Sequence, residues 1–169
     1  ILKKKKIVIF GASGFIGKNI SIKFKKKFKN YLIIGTYLKN KPSIKGIKLI
    51  KCDLTKPNQV KRILKDTEII IQAAATTSGA KEIISKPYIH VNDNAIMNSV
   101  VTKLAYDHYV KHVILFSCTV MYRSSKKALK ENNFNPNKEM YFNYFGAGWM
   151  KVYVEKLGEF YSRLNRNKY

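Results

Sequence analysis

The chain has 169 residues, with 33 lysines and arginines against 10 acidic residues and a formal net charge of +23. That length holds one domain, 1–169, with a real core and leaves no room for a second. No apolar run approaches the roughly 18 residues of a membrane span, and the stretch after Lys3–Lys6 is too short for a signal peptide, so a cytoplasmic protein is expected. Two cysteines, Cys52 and Cys118, make neither a disulfide framework nor a metal site and read as small buried residues at strand ends.

A charge of +23 attracts any polyanion, yet specific nucleic-acid binding is disfavoured. The basic residues are almost all lysines, leaving Arg62, Arg123, Arg163 and Arg166 for forked contacts to phosphate or base edges. The lysines are also spread along the whole chain and form no arm. They read as solvated surface, with some benefit for holding an anionic ligand.

The first predicted element is an apolar strand, Lys6–Phe10. It runs into Gly11-Ala-Ser-Gly14-Phe-Ile-Gly17 and then into a predicted helix, 15–28, whose stripe is Ile16, Ile20, Phe24 and Phe28. Each glycine has its own reason. Gly11 lets the chain leave the strand in a tight turn, Gly14 keeps a Cβ away from a pyrophosphate, and Gly17 allows close packing of helix on strand. The helix N-terminus then offers unpaired N–H groups and a positive dipole end to the anion. This junction predicts dinucleotide binding.

Further strands are predicted at 32–36, 47–51, 68–72 and 113–117, and helices at 58–65, 88–109 and 143–165. Lys39–Gly46 and Ser124–Lys138 read as loops, and there is no internal repeat. The alternation predicts an α/β fold: a Rossmann-type, doubly wound parallel sheet. In such a sheet ligands bind beyond the carboxyl ends of the strands, which gathers 11–17, 36–41, Asp53, Ala73–Ala75 and Ser117–Tyr122 around one crevice.

With these residues in place, the chain resembles the N-terminal part of an extended short-chain dehydrogenase/reductase of the NAD-dependent epimerase/dehydratase family. Gly11-x-x-Gly14-Phe-Ile-Gly17 is similar to the family's glycine motif. Cys52-Asp53-Leu-Thr resembles the segment whose aspartate contacts adenine, and Gln72-Ala-Ala-Ala75 the small-residue turn beside the cofactor. Ala73-Ala-Ala-Thr-Thr-Ser-Gly-Ala80, Asn92-Asp-Asn94 and Ser117-Cys-Thr-Val-Met-Tyr122 most resemble the GDP-fucose synthase branch. The resemblance implies a cofactor held by Gly11, Ser13, Gly14, Phe15, Ile16, Gly17, Lys39, Asp53, Leu54, Ala73, Ala74, Ala75, Asn94 and Lys151. From the residues alone, Asp53 also reads as a helix cap, Ala73–Ala75 as close packing and Asn94 as a helix start.

The family places a tyrosine four residues before a lysine on one helical face, where the ammonium lowers the tyrosine's pKa for proton transfer. Gly148-Trp-Met-Lys151, followed by Glu155, is similar to that helix and assigns the lysine role to Lys151. Four residues earlier stands Ala147, which carries no proton. Tyr144 serves only if the helix starts later than predicted, because seven helical residues put it roughly 10 Å from Lys151 along the axis. The hydroxyl partner, four residues before Tyr122, falls on Cys118, with Ser117 and Thr119 on either side; Thr119 is the preferred stand-in because a thiol is a poor donor.

The second strand ends Gly35-Thr-Tyr-Leu-Lys39-Asn-Lys41, with no acid to hold ribose hydroxyls, which favours NADP over NAD. The expected function is therefore a nucleotide-sugar epimerase, reductase or dehydratase, with hydride transfer at a sugar carbon. The alternative is a non-catalytic dinucleotide-binding protein of the same fold, and a basic nucleic-acid module ranks last. The chain opens without methionine and stops after the catalytic helix, so it reads as a fragment lacking later strands and the substrate-binding region. The family resemblance implies a nucleotide-sugar substrate and a homodimer for the full-length form.

Overall fold

The computed structural model describes residues 5–77, 82, 85–138 and 140–164. Strand β1 (Lys5–Phe10) is the centre of a five-stranded parallel sheet with β2 (Tyr31–Tyr37), β3 (Lys48–Lys51), β4 (Thr67–Gln72) and β5 (His112–Leu115). The order is β3-β2-β1-β4-β5, so the chain leaves one edge after β3 and resumes beyond β1. That reversal opens a crevice at the carboxyl end of β1, as in a Rossmann-type fold.

Both faces of the sheet are covered, which is why Ile7–Phe10 of the central strand is apolar without a break. Alternate side chains divide between two cores. Ile7, Ile9, Ile33 and Ile71 pack with Ile20, Phe24 and Phe28 from helix α1 (Phe15–Lys27) and its end. Val8, Phe10, Ile34 and Ile70 pack with Val60, Ile63 and Leu64 of helix α2 (Pro57–Leu64) and with Met97, Val101 and Ala105 of helix α3 (Asn92–Asp107). Each fully buried side chain of this kind contributes about 1.5–3 kcal/mol.

The structure corrects several sequence expectations. Ile16 is half exposed and does not continue the α1 stripe, which begins at Ile20. The stretch expected as one helix over 88–109 is a 3₁₀ turn, Pro87–His90, followed by α3, because Pro87 opens a turn of its own. Strand β5 ends at Leu115, two residues earlier than expected. Within the loop expected over 124–138, Glu131–Asn133 forms a 3₁₀ turn. The final helix, α4, spans Phe145–Leu164 and is preceded by a 3₁₀ turn, Phe142–Tyr144, so the helix starts later than its periodicity predicts.

Helix α4 lies against α3, with Tyr153 Oη 3.1 Å from Ser99 Oγ and the rings of Tyr106 and Tyr161 5.4 Å apart. At Gly148 the helix backbone also meets the 3₁₀ turn Thr119–Met121. A Cβ there would stand 3.0 Å from the Val120 carbonyl oxygen and 2.5 Å from Met140 Sδ. This approach sets Lys151 at the end of β5.

Candidate functional site

A cleft of about 630 Å³ opens at the carboxyl end of the sheet. Its walls are the Gly11–Ile16 turn, Thr36–Leu38 at the end of β2, Cys52–Lys56 after β3, Ala73–Thr77 after β4, and Asp93 and Met97 on α3.

The three glycines are explained in two different ways. Gly11 has φ +76°, and a Cβ on it would lie 2.6 Å from both Cα and N of Ala74. At Gly17, which is buried, a Cβ would overlap the Gly11 carbonyl oxygen. Packing and backbone conformation therefore require glycine at both positions. Gly14 has φ −79°, and a Cβ there would meet only the Gly11 oxygen, at 3.5 Å. The protein itself gives no steric reason for a glycine at 14; its open side borders the cleft.

The turn is tied down by Gly11 N–H to Thr36 Oγ1 (3.2 Å), Ala12 N–H to the Thr36 carbonyl (2.8 Å) and Gly14 N–H to the Gly11 carbonyl (3.0 Å). Lys18 N–H reaches back to Gly14 O, so the N–H groups of the helix's first turn lack that partner. No side chain caps the helix and no acidic residue lies in its first turn, which leaves its positive end uncompensated for an anion. Ser13, Phe15 and Ile16 line the cleft beside it, Phe15 with most of its surface exposed.

Asp53 lines the cleft opposite and is not a helix cap, since α2 is entered through Lys56 and Pro57. Its Oδ1 accepts Thr55 Oγ1–H (2.7 Å) and Thr55 N–H (2.9 Å). The Thr55 hydroxyl first, then its amide and Lys56, hold the carboxyl below its ordinary range against the opposing effect of burial. Leu54 is buried beside it. Burial and the neighbouring Asp53 carboxylate push the Cys52 thiol up to about 11, consistent with a packed, unreactive cysteine.

Ala73–Ala75 line the cleft, whereas Asn94 does not. Asn94 is buried, and its amide is spent on the protein: Oδ1 accepts Thr76 N–H (2.9 Å), and Nδ2–H donates to Thr76 O (2.9 Å) and His90 O (2.8 Å). Its neighbour Asp93 is the residue that faces the cleft. Lys39 is exposed and likewise outside the lining; Lys56 is its only cation among the described residues. Residues 78–80 of the matching segment lie outside the described residues.

Lys151 occupies a separate corner at the end of β5. Its ammonium donates to the Phe116 carbonyl across 2.7 Å. Burial pulls its pKa below the ordinary lysine value, opposed by Cys118 and Glu155. Ser117 and Thr119 are exposed and Cys118 is half-buried; Ser117 Oγ lies 3.4 Å from Met121 Sδ. Ala147 is one helical turn before Lys151 within α4. Tyr144 sits in the 3₁₀ turn ahead of the helix, with its N–H on Tyr141 O and its ring 5.7 Å from that of Tyr141.

Tyr37 and Leu38 line the cleft within the expected 36–41 stretch, whereas sequence reasoning did not single out Thr55, Lys56, Thr76, Thr77, Asp93 or Met97 as cleft residues. Asp93 and Met97 are spaced by one helical turn, a signal that was present once the helix start at Asn92 is known.

The pattern of the NAD dependent epimerase/dehydratase family matches residues 7–164. The chain belongs to this family. No curated protein matches it. Among solved structures, a GDP-D-glycero-L-gluco-heptose synthase from Campylobacter jejuni, determined in the presence of NADPH, is similar with 19% identity and a TM-score of 0.77, over 96% of this chain and 45% of that one. A UDP-glucose 4-epimerase from Thermus thermophilus, in complex with NAD, has 15% identity and a TM-score of 0.77, over 94% and 51%. One from Thermotoga maritima, with UDP-glucose, has 21% identity and a TM-score of 0.75, over 94% and 51%. The chain spans about half the length of these structures. Among the described residues, no helix is long and apolar enough to cross a membrane.

Proposed function

We propose that this epimerase/dehydratase-family chain forms the coenzyme-binding part of an oxidoreductase or epimerase that takes NADP, or else NAD, and modifies a nucleotide sugar, in the GDP-fucose synthase-like branch. The observation that carries this reading is Gly14: a glycine with no packing reason, at an uncapped helix N-terminus free of acidic residues, opening on the cleft. The fit extends to the other end of the cleft, where Asp53 presents a carboxylate that stays ionised and suits the exocyclic amine of adenine. The cofactor, when bound, supplies a nicotinamide that accepts or returns hydride at a sugar carbon.

The chain's own residues do the rest. Helix α1 and the glycine turn hold the pyrophosphate, Ala73–Ala75 pass close to the cofactor without obstructing it, and Lys151 anchors the nicotinamide ribose from the end of β5. A proton at the sugar oxygen has to be carried by Thr119, Ser117, Cys118 or Tyr144, because Ala147 has no ionisable group. That same alanine favours a second reading, a dinucleotide-binding protein without turnover. NADPH fluorescence titration tests the shared part of both: saturable binding that Gly14→Asp abolishes is expected, and an unchanged affinity in that variant would overturn the assignment. Turnover with GDP- and UDP-sugars separates the two readings.

A further inference from the structure

Three amide side chains, Gln72, Asn98 and Asn94, are all buried where β4 meets α3, on elements that also supply Ile70, Met97, Val101 and Ala105 to the apolar core. They form one directed chain. Asn98 Nδ2–H donates to the Asn94 backbone carbonyl (2.7 Å), which leaves Asn98 Oδ1 facing Gln72. Gln72 Nε2–H donates to that Oδ1 (3.3 Å), and so Gln72 Oε1 is turned to accept Ala74 N–H (3.3 Å). One turn along the helix, Asn94 takes both backbone groups of Thr76, N–H and C=O.

We propose that Gln72 and Asn98 are positioning residues for the dinucleotide, acting through the backbone of Ala74; the proposal rests on the coenzyme reading above. Beyond β4 the loop Ala73–Thr77 has left the strand ladder, keeping Ala73 N–H on Phe10 O (3.1 Å). Of the amides that follow, Ala74 N–H is held by Gln72 and Thr76 N–H by Asn94, and buried backbone groups need such partners. Ala74 is also the residue whose N and Cα stand 2.6 Å from where a Gly11 Cβ would be. The amide chain therefore fixes the loop that presses on the glycine turn, and two walls of the cleft move together if Gln72 lets go. Burying two amides in an apolar core costs free energy that an aliphatic pair would not, so their return lies in placing that loop.

The direction of the hydrogen bonds supplies the test. In Gln72→Glu the neutral acid reproduces both bonds, its carbonyl oxygen accepting Ala74 N–H and its hydroxyl donating to Asn98 Oδ1. Ionised, it sets a negative oxygen against Asn98 Oδ1, and Asn98 cannot turn over without losing Asn94 O. Burial raises the acid's pKa, so the change falls in an accessible range, with the neutral form dominant near about pH 6 and the ion near about pH 9. Other titratable groups near this site are Asp93 on α3, His90 in the preceding turn and Cys52 beyond β3. The adjoining strand residues Phe10 and Leu115 carry none. The parent measured at each pH removes their contribution.

Calorimetric titration with NADP+ is expected to show Gln72→Glu matching the parent at the lower pH and binding about tenfold or more weakly at the higher, while urea unfolding shows a folded protein at both. Asn98→Asp serves as the second variant, since only its protonated form donates to Asn94 O, and the same pH signature is expected. Variants that match the parent at both pH values, or lose affinity equally at both, would overturn the proposal. A parent that binds neither NADP+ nor NAD+ would overturn the coenzyme reading and the proposal with it.

Discussion

The Lys151 ammonium reaches the Phe116 carbonyl oxygen across 2.7 Å and so ties helix α4 to the end of the sheet. The bond satisfies a carbonyl just past β5, but it also holds the charge where burial outweighs the opposing influence of Cys118 and Glu155 and lowers the pKa. A lysine whose folded pKa is depressed costs stability while both states are protonated. That cost is relieved as pH rises from the folded value toward 10.5. The parent is therefore expected to gain stability relative to Lys151→Met over that interval, read by urea unfolding at stepped pH. A difference that stays flat, or a Lys151 Nζ titration by NMR at or above the ordinary value, would refute it.

Gly14 and Gly17 are expected to separate binding from folding. Gly17→Ala forces a Cβ into the Gly11 carbonyl and should cost about 1–3 kcal/mol or more of stability, as overpacking does. Gly14→Ala meets nothing closer than 3.5 Å and should unfold within about 1 kcal/mol of the parent, yet bind NADPH less tightly. Thermal unfolding and fluorescence titration of the two variants read both quantities. Equal stabilities would show that the glycine turn is looser than its geometry implies.

Thr55 is expected to keep Asp53 ionised. Its hydroxyl is the largest influence lowering the Asp53 pKa, so Thr55→Val should move that pKa up toward 3.8. A depressed carboxyl contributes stability that is present above its unfolded pKa and lost as pH falls through the folded one. The stability gap between parent and Thr55→Val should therefore narrow on acidification below that range, measured by denaturant titration. A carboxyl resonance that titrates identically in the two proteins would exclude this role.

Ala147 is expected to limit catalysis. Introducing a phenol one turn before Lys151 supplies the missing proton carrier, a role worth about 10²–10⁴ in rate. Ala147→Tyr should raise turnover of a nucleotide sugar by that order. If the parent is already fast and Tyr144→Phe stops it, the proton comes from the 3₁₀ turn ahead of α4.

NADP is expected to bind more tightly than NAD, because no acid directly follows β2 and Lys56 is the cation lining the cleft among the described residues. Calorimetry should show the gap shrink in Lys56→Glu and change little in Lys39→Glu. Tighter binding of NAD by the parent would show that the missing acid does not govern the choice.

The alternation of strands and helices, the doubly wound parallel sheet and the glycine turn were legible in the chain because they rest on local rules: apolar runs of strand length, a period of 3.6 and glycines at a strand's end. Gly17 could be read in this way, since the Gly11 carbonyl it avoids lies within the same motif; Gly11 could be read from its turn, while the Ala74 backbone it avoids comes from the loop beyond β4. What the sequence alone left open is long-range. Asn94 looked like a cofactor residue and is consumed by Thr76 and His90, while its neighbour Asp93 faces the cleft. Lys39 lies outside the cleft and Lys56 inside it. The Gln72–Asn98 pair joins residues 26 apart, of which Asn98 falls in no motif read from the sequence. Local periodicity dictates which residues form a strand or a helix, but which way a polar side chain at an element's end turns depends on what the other elements bring to it. Only the assembled sheet and helices decide that.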